Sequence, residues 1–144
     1  MGTLRPRINF VTLGVHDMVA VRAFYERLGL TAANASNPHV TFFNVNGVVL
    51  SLYGYGALAE DAGIHANAAP VFRGVALAWN GTSEENVDQI MAHAKNAGAT
   101  IVKPAQKVFW GGYSGYFSDP EGNLWEVAFN PFAPFNDNGQ IEMP

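Results

Sequence analysis

One pattern of strand, helix and turn signals runs through this chain twice, and that repetition restricts its possible folds more than any other feature. Val11–Val15 (VTLGV) leads the first half and Val75–Trp79 (VALAW) leads the second. A helix-forming stretch follows each and stops at a glycine, in Leu28-Gly29-Leu30 and in Ala97-Gly98-Ala99. Each half closes on a turn and a last strand: Asn46-Gly47 before VVLSLY, and Glu121-Gly122 before NLWEVAF. A supersecondary unit used twice predicts two similar modules that bury their apolar faces together.

The individual elements follow from local signals. Ile8 to Val15 is apolar and β-branched and reads as a buried strand. Asp17 caps the helix MVAVRAFYERL, whose stripe is Val21, Phe24 and Leu28, with Gly29 at the stop. Thr31 to Asn37 reads as a weak strand or loop before Pro38. His39 to Val45 and Val48 to Tyr53 form a hairpin about Asn46-Gly47. Gly54 to Pro70 is rich in Ala and Gly, a linker with one short helix near Ala57–Asp61. The second half repeats the order. Phe72 to Trp79 is a strand, and Thr82-Ser83-Glu84-Glu85 resembles a capping box. The next helix carries Val87, Ile90, Met91 and Ala94 on one face. Thr100 to Lys103 is a strand that bends or lies at an edge at Pro104. Val108 to Ser118 and Asn123 to Phe129 flank the turn Asp119-Pro120-Glu121-Gly122. The tail NPFAPFNDNGQIEMP is expected to be irregular.

Composition removes several function classes. The chain has 144 residues, 49% hydrophobic and 14% charged, which suits one packed domain rather than disorder. A net charge of −4 with no basic run argues against a nucleic-acid footprint. No cysteine is present, so disulfides, thiolate metal sites and cysteine nucleophiles are excluded. The apolar runs are strand-sized, so no membrane span is expected. The opening MGTLRPRINF lacks a signal-peptide apolar stretch, and a cytoplasmic location is expected. No G-x-S-x-G elbow, P-loop or dinucleotide fingerprint occurs.

One carboxylate stands out. Glu126 lies inside the apolar strand Leu124–Phe129 and is either a solvated residue on an open sheet face or a functional group. Side chains alternate along a strand. If Val11, Leu13, Val15, Val75, Leu77 and Trp79 pack under the helices, the opposite face carries Phe10, Thr12, Gly14, Gly74, Ala76 and Ala78. Leu124, Glu126 and Ala128 share a face on the last strand. A cleft with small walls and a single carboxylate results. In an apolar cleft, desolvation would raise the Glu126 pKa and suit it to general-base work or to pairing with a cation. Trp110, on the Gly111-Gly112 loop, and Tyr53 are candidate cleft walls for a flat or cationic ligand, and Tyr113 is a further lining candidate. Phe109 and Tyr116 are read as packing residues. His16, His39, His65 and His93 are read as isolated, because none has metal-ligand spacing.

The paired βαβββ modules, the HDM and FYERLGL segments after the first strand, and FSDPEGNLWEV together resemble the vicinal oxygen chelate superfamily. This is the glyoxalase, bleomycin-resistance and extradiol-dioxygenase group. The resemblance runs from about Ile8 to Asn130. It implies an α+β fold of two βαβββ modules forming a curled eight-stranded mixed sheet with helices outside. The expected divisions are module 1 at about 7–55, a linker at about 56–70, module 2 at about 71–130 and a tail at 131–144. It also implies a homodimer and, in metal-dependent members, a divalent ion held by His, Gln or Glu from the first and last strands. Carried onto this chain those positions are Phe10, Ser51, Gly74 and Glu126, of which only Glu126 is a firm ligand. No cofactor is therefore expected, beyond a weakly held divalent metal at Glu126.

Three functions remain open on these grounds. One is a metal-independent binder of a small aromatic or cationic molecule, with Phe10, Thr12, Ser51, Tyr53, Gly74, Trp110 and Tyr113 lining the cleft. Another is a glyoxalase-like lyase, isomerase or dioxygenase using Glu126 as base or metal ligand. The last is a structural dimer whose cleft is filled by its own side chains.

Overall fold

The structure is a computed structural model that describes residues 6–66 and 72–143. Its first half runs β1 (Phe10–Val15), α1 (Met18–Leu28), β2 (Val40–Val45) and β3 (Val48–Gly54). A short helix, α2 (Tyr55–Ala62), then leads away from β3. The second half runs β4 (Ala76–Asn80), α3 (Glu84–Ala97), β5 (Thr100–Lys107), β6 (Tyr113–Ser118) and β7 (Leu124–Phe129). The strands form two mixed sheets, ordered β1-β3-β2 and β4-β7-β6-β5. In each half the first strand runs parallel to the last, β1 with β3 and β4 with β7, and the remaining pairs are antiparallel. The repeat read in the sequence is thus a repeat of topology.

Seven strands, not eight, are present among the described residues. Thr31–Asn37 makes only isolated bridges, Ala32 with Phe43 and Asn37 with Val40. The reason is local. The backbone turns inside the segment, the Ser36 N–H donating to the Ala33 carbonyl at 2.9 Å, and the Ser36 hydroxyl accepts from the Phe42 N–H at 3.0 Å where a ladder partner would stand, so the two bridges never join. The second half departs from expectation at its start. Gly74 has φ +72°, a left-handed conformation that interrupts an extended run, so β4 begins at Ala76 rather than Phe72. Val75 consequently stays 60% exposed instead of packing under a helix.

The helices are set by their caps. Asp17 accepts from the Ala20 N–H at 3.0 Å. Ahead of α3 the cap is Ser83, which accepts from the Asn86 N–H at 3.0 Å, while Asn86 Oδ1 accepts from the Thr82 N–H at 3.0 Å. The reciprocal capping expected of Thr82 and Glu85 is therefore made by Ser83 and Asn86. Strand β5 extends to Lys107 through two register shifts around Pro104, tolerable because it is an edge strand. Val108–Gly112 is loop, not strand. In the tail, Phe135 bridges Ile141.

One core joins the halves. Val21, Phe24, Tyr25 and Leu28 of α1 and Val87, Met91, Ala94 and Ala97 of α3 belong to a single buried cluster with Val15, Phe43, Leu52, Phe117 and Val127. Burying each large apolar side chain stabilises by about 1.5–3 kcal/mol, so a cluster of this size dominates the stability. The helices also touch through polar groups: Arg27 Nε donates to the Ala97 carbonyl at 2.9 Å, and His93 Nε2 meets the Leu28 carbonyl at 2.8 Å. With both helices drawn into the core, each sheet keeps one face turned away from it. No helix among the described residues is long and apolar enough to cross a membrane.

Candidate functional site

The alternation expected along β1 holds, and in the second half it holds from Ala76 onward, Val75 being the exception. Val11, Leu13, Val15, Leu77 and Trp79 belong to the helix-covered core or pack against it. Phe10, Thr12, Ala76 and Ala78 lie on the other face and are exposed. Register carries that face across each sheet. In the first sheet Thr12, Ser51 and Phe42 form one cross-strand row. In the second, Ala78, Glu126, Tyr116 and Lys103 form another.

The first row is already bonded to itself. Thr12 Oγ1 and Ser51 Oγ stand 2.6 Å apart, and Ser51 is only 2% exposed. Phe10 is 56% exposed and meets Phe42 edge to face, with ring centroids 6.3 Å apart. Tyr53 continues the same face toward α2, opposite Gly14. In the second row Glu126 is half-buried on a central strand. Its cross-strand neighbour is Tyr116, whose hydroxyl pKa is raised by burial and by the Glu126 carboxylate. Tyr116, read from sequence as a packing residue, is therefore the immediate partner of the candidate carboxylate. Counting outward from the Asp119 turn, which fixes the β6–β7 register, would have found it.

Other expected lining residues lie elsewhere. Tyr113 is on the helix-side face of β6, and its hydroxyl donates to Asp88 Oδ1 of α3 at 2.7 Å. That hydrogen bond is the first cause of its raised pKa. Trp110 lies beyond that end of the sheet, 36% exposed, its ring lying over Gly112. Tyr113 is three residues from Tyr116, roughly 10 Å along the strand, so Trp110 stands well away from Glu126. Gly74 precedes β4 and faces open space.

Histidine placement also differs from expectation. His16, read as isolated, meets Glu121 of the last turn, Nδ1 to Oε1 at 2.8 Å, and stacks on Tyr55 with centroids 4.5 Å apart. Glu121 Oε2 also accepts from the Asp17 N–H at 3.2 Å. Burial pushes the Glu121 carboxyl up, but the hydrogen bonds and charge from His16 and Asp17 outweigh it and hold the pKa below its ordinary value. The two residues are 105 positions apart, so no local spacing rule could pair them.

The four positions at which the resemblance places metal ligands do not fit a divalent ion. Phe10 and Gly74 have no side-chain donor, and the Ser51 hydroxyl is engaged with Thr12. Among the described residues no three His, Asp or Glu side chains converge as a ligand set. Tight metal binding needs several donors in fixed geometry.

Comparison with known proteins agrees with the architecture. The chain resembles the crystal structure of a glyoxalase-related enzyme from Fulvimarina pelagi at 34% identity and TM-score 0.86, over 95% of this chain and 97% of that one. It resembles a glyoxalase/bleomycin resistance protein/dioxygenase from Nocardioides at 27% identity and TM-score 0.74, over 89% and 85%. A lactoylglutathione lyase from Agrobacterium tumefaciens shares the fold at 22% identity and TM-score 0.68, over 88% and 96%. No curated protein matches the chain. The family model of the Glyoxalase/Bleomycin resistance protein/Dioxygenase superfamily matches residues 7–127, and the chain belongs to that superfamily.

Proposed function

We propose that this protein binds a small aromatic or cationic molecule, without a metal, in a cleft built on the sheet faces that carry Phe10 and Glu126. The observation that carries this reading is the composition of the four family ligand positions: an exposed aromatic, a serine engaged with Thr12, a glycine and one carboxylate. Such a face supplies ring surface at Phe10 and Phe42 and a single negative charge at Glu126, which is the chemistry of an aromatic or cationic guest. A homodimer is part of the proposal. Phe10, Phe109 and Phe132 are large apolar side chains left exposed by the single chain, and a second copy would enclose the cleft.

The test is a thermal-shift panel of aromatic and cationic compounds on the wild-type chain and on Glu126→Gln, with the metal content of the purified protein measured alongside. A ligand at 100 times its Kd should add about 2.7 kcal/mol of stability to the wild type. Glu126→Gln should lose the preference for cations. A stoichiometric divalent metal that supports turnover would overturn the proposal.

A second reading, a glyoxalase-like lyase, isomerase or dioxygenase, is favoured by the Glu126–Tyr116 pair. A carboxylate, a proton acceptor, stands beside a hydroxyl that keeps its proton and so serves as a hydrogen-bond donor to a reacting group. On this reading Glu126 is the base, or the sole protein carboxylate on a weakly held ion, and Glu126→Gln abolishes turnover while leaving ligand affinity nearly intact.

A further inference from the structure

A cavity of about 480 Å³ opens at the seam between the two halves, under α2. It is bounded by β1, by α2 and by the chain leading into β4. Its volume falls in the range of small-molecule sites. Val11, Leu13, Leu58, Leu77 and Leu124 make its walls predominantly apolar. Among the described residues neither Glu126 nor any other acidic residue lines it. The charge it does contain is positive: the Arg73 guanidinium stands in the wall.

That guanidinium is held in place. Arg73 Nη1 donates to Asn123 Oδ1 at 2.6 Å. Asn123 is in turn fixed by buried Asp119, which accepts from its backbone N–H and from its side-chain Nδ2, both at 2.8 Å. The amide oxygen is thereby aimed at Arg73. An amide oxygen is a neutral acceptor, and among the described residues Arg73 forms no ion pair with a carboxylate. A planar guanidinium has five donors arranged to match a carboxylate, and one bond to Asn123 leaves most of that capacity available.

We propose that this seam cavity binds a small apolar carboxylate, its ring or hydrocarbon body against Leu58, Leu77 and Leu124 and its carboxylate on Arg73. Thr12 of the Phe10 face and Leu124, two residues before Glu126 on the same strand face, line the cavity, so it adjoins the open face, but its own charged group is a cation and it takes the opposite charge. An apolar body gains by leaving water for these walls, and the single anion is met by a cation whose position is already set.

Calorimetric titration of the full chain with 1-naphthoate, and with 1-naphthalenemethanol as a neutral ring of similar shape, tests this. Naphthoate should bind saturably at one site per chain and more tightly than the alcohol. Arg73→Met should weaken naphthoate at least tenfold, as expected for a lost charge-assisted hydrogen bond, and leave the alcohol unchanged. Ala62→Trp fills the cavity from α2 without touching Arg73 and should weaken both probes. Glu126→Gln should change neither. Absence of saturable naphthoate binding, or equal binding by wild type and Arg73→Met, overturns the proposal. Loss of binding in Glu126→Gln alone would also overturn it and move the ligand to the open face.

Discussion

The Tyr25 hydroxyl donates to the Asp119 carboxylate at 2.7 Å, both groups buried, and so ties α1 of the first half to the turn before β7 in the second. The same hydroxyl accepts from Trp125 Nε1 at 3.0 Å. Asp119 also accepts from the N–H groups of Glu121 and Asn123 at 2.9 and 2.8 Å, so one carboxylate shapes the turn and fastens it to the opposite half. Burial first, and the adjacent Asp119 second, raise the Tyr25 pKa well above its ordinary value and keep it the donor. Tyr25→Phe should cost about 1–3 kcal/mol in urea unfolding, because it leaves a buried carboxylate and the Trp125 N–H each one partner short. A variant as stable as wild type would mean that water replaces the hydroxyl.

The pH dependence of the His16–Glu121 contact has a defined sign. Glu121 ionises more readily in the folded chain than at its ordinary value of 4.5, so the folded state binds fewer protons there than the unfolded state. Its contribution is therefore fully present above about pH 4.5 and disappears as the pH falls through the lowered folded value. His16 is largely solvent-exposed, and screening keeps the contribution near or below about 1 kcal/mol. Melting temperatures of wild type and Glu121→Gln should differ near pH 6 and converge near pH 3. Parallel curves across that range would refute the linkage.

At the Trp110-Gly111-Gly112 loop, a Cβ on Gly112 would overlap the Trp110 ring and stand 2.8 Å from the Phe129 carbonyl oxygen. The glycine is thus what lets the indole fold over the loop. Gly112→Ala should displace Trp110 into solvent, red-shift the tryptophan emission and destabilise by about 1–3 kcal/mol, as overpacking does. Unchanged emission would show that the loop relaxes around the methyl group.

Tyr116 reports the charge state of its neighbour. Burial, then the Glu126 carboxylate, raise its pKa. Glu126→Gln removes the second cause and leaves the first, so the Tyr116 pKa should fall toward 10.0 without fully reaching it. An alkaline NMR titration of ring-labelled tyrosine follows this one residue. An unchanged or higher value would place the Glu126 charge away from the hydroxyl.

The turn chemistry and the helix stops were legible because they are local. Asn46 and Gly47, at φ 48° and 95°, adopt the conformation that the Asn-Gly pair announces. The open faces of β1 and β4 were legible because alternation follows from strand geometry alone. The short helix in the linker was legible too, and its bounds widened from Ala57–Asp61 to Tyr55–Ala62.

The candidate site was only partly legible. Tyr113, a cleft-lining candidate on sequence grounds, falls on the helix-side face of β6, while Tyr116, at the opposite parity, pairs with Glu126. The eighth strand failed because the backbone turns within 33–36, the Ser36 N–H bonding back to the Ala33 carbonyl.

By itself the sequence determined the duplicated order of elements, the absence of cysteine chemistry and the identity of the groups at the family ligand positions. These depend only on residue type and on spacing within one element. Tertiary structure alone decided which distant groups meet: His16 with Glu121, Tyr25 with Asp119, and Arg73 with Asn123 beside an apolar cavity. Each of those pairs except the last spans the two halves, and all three depend on how the chain packs around α1, α2 and the Asp119 turn. No periodicity within a strand or helix encodes such a distance, because it is set by the packing of one element against another.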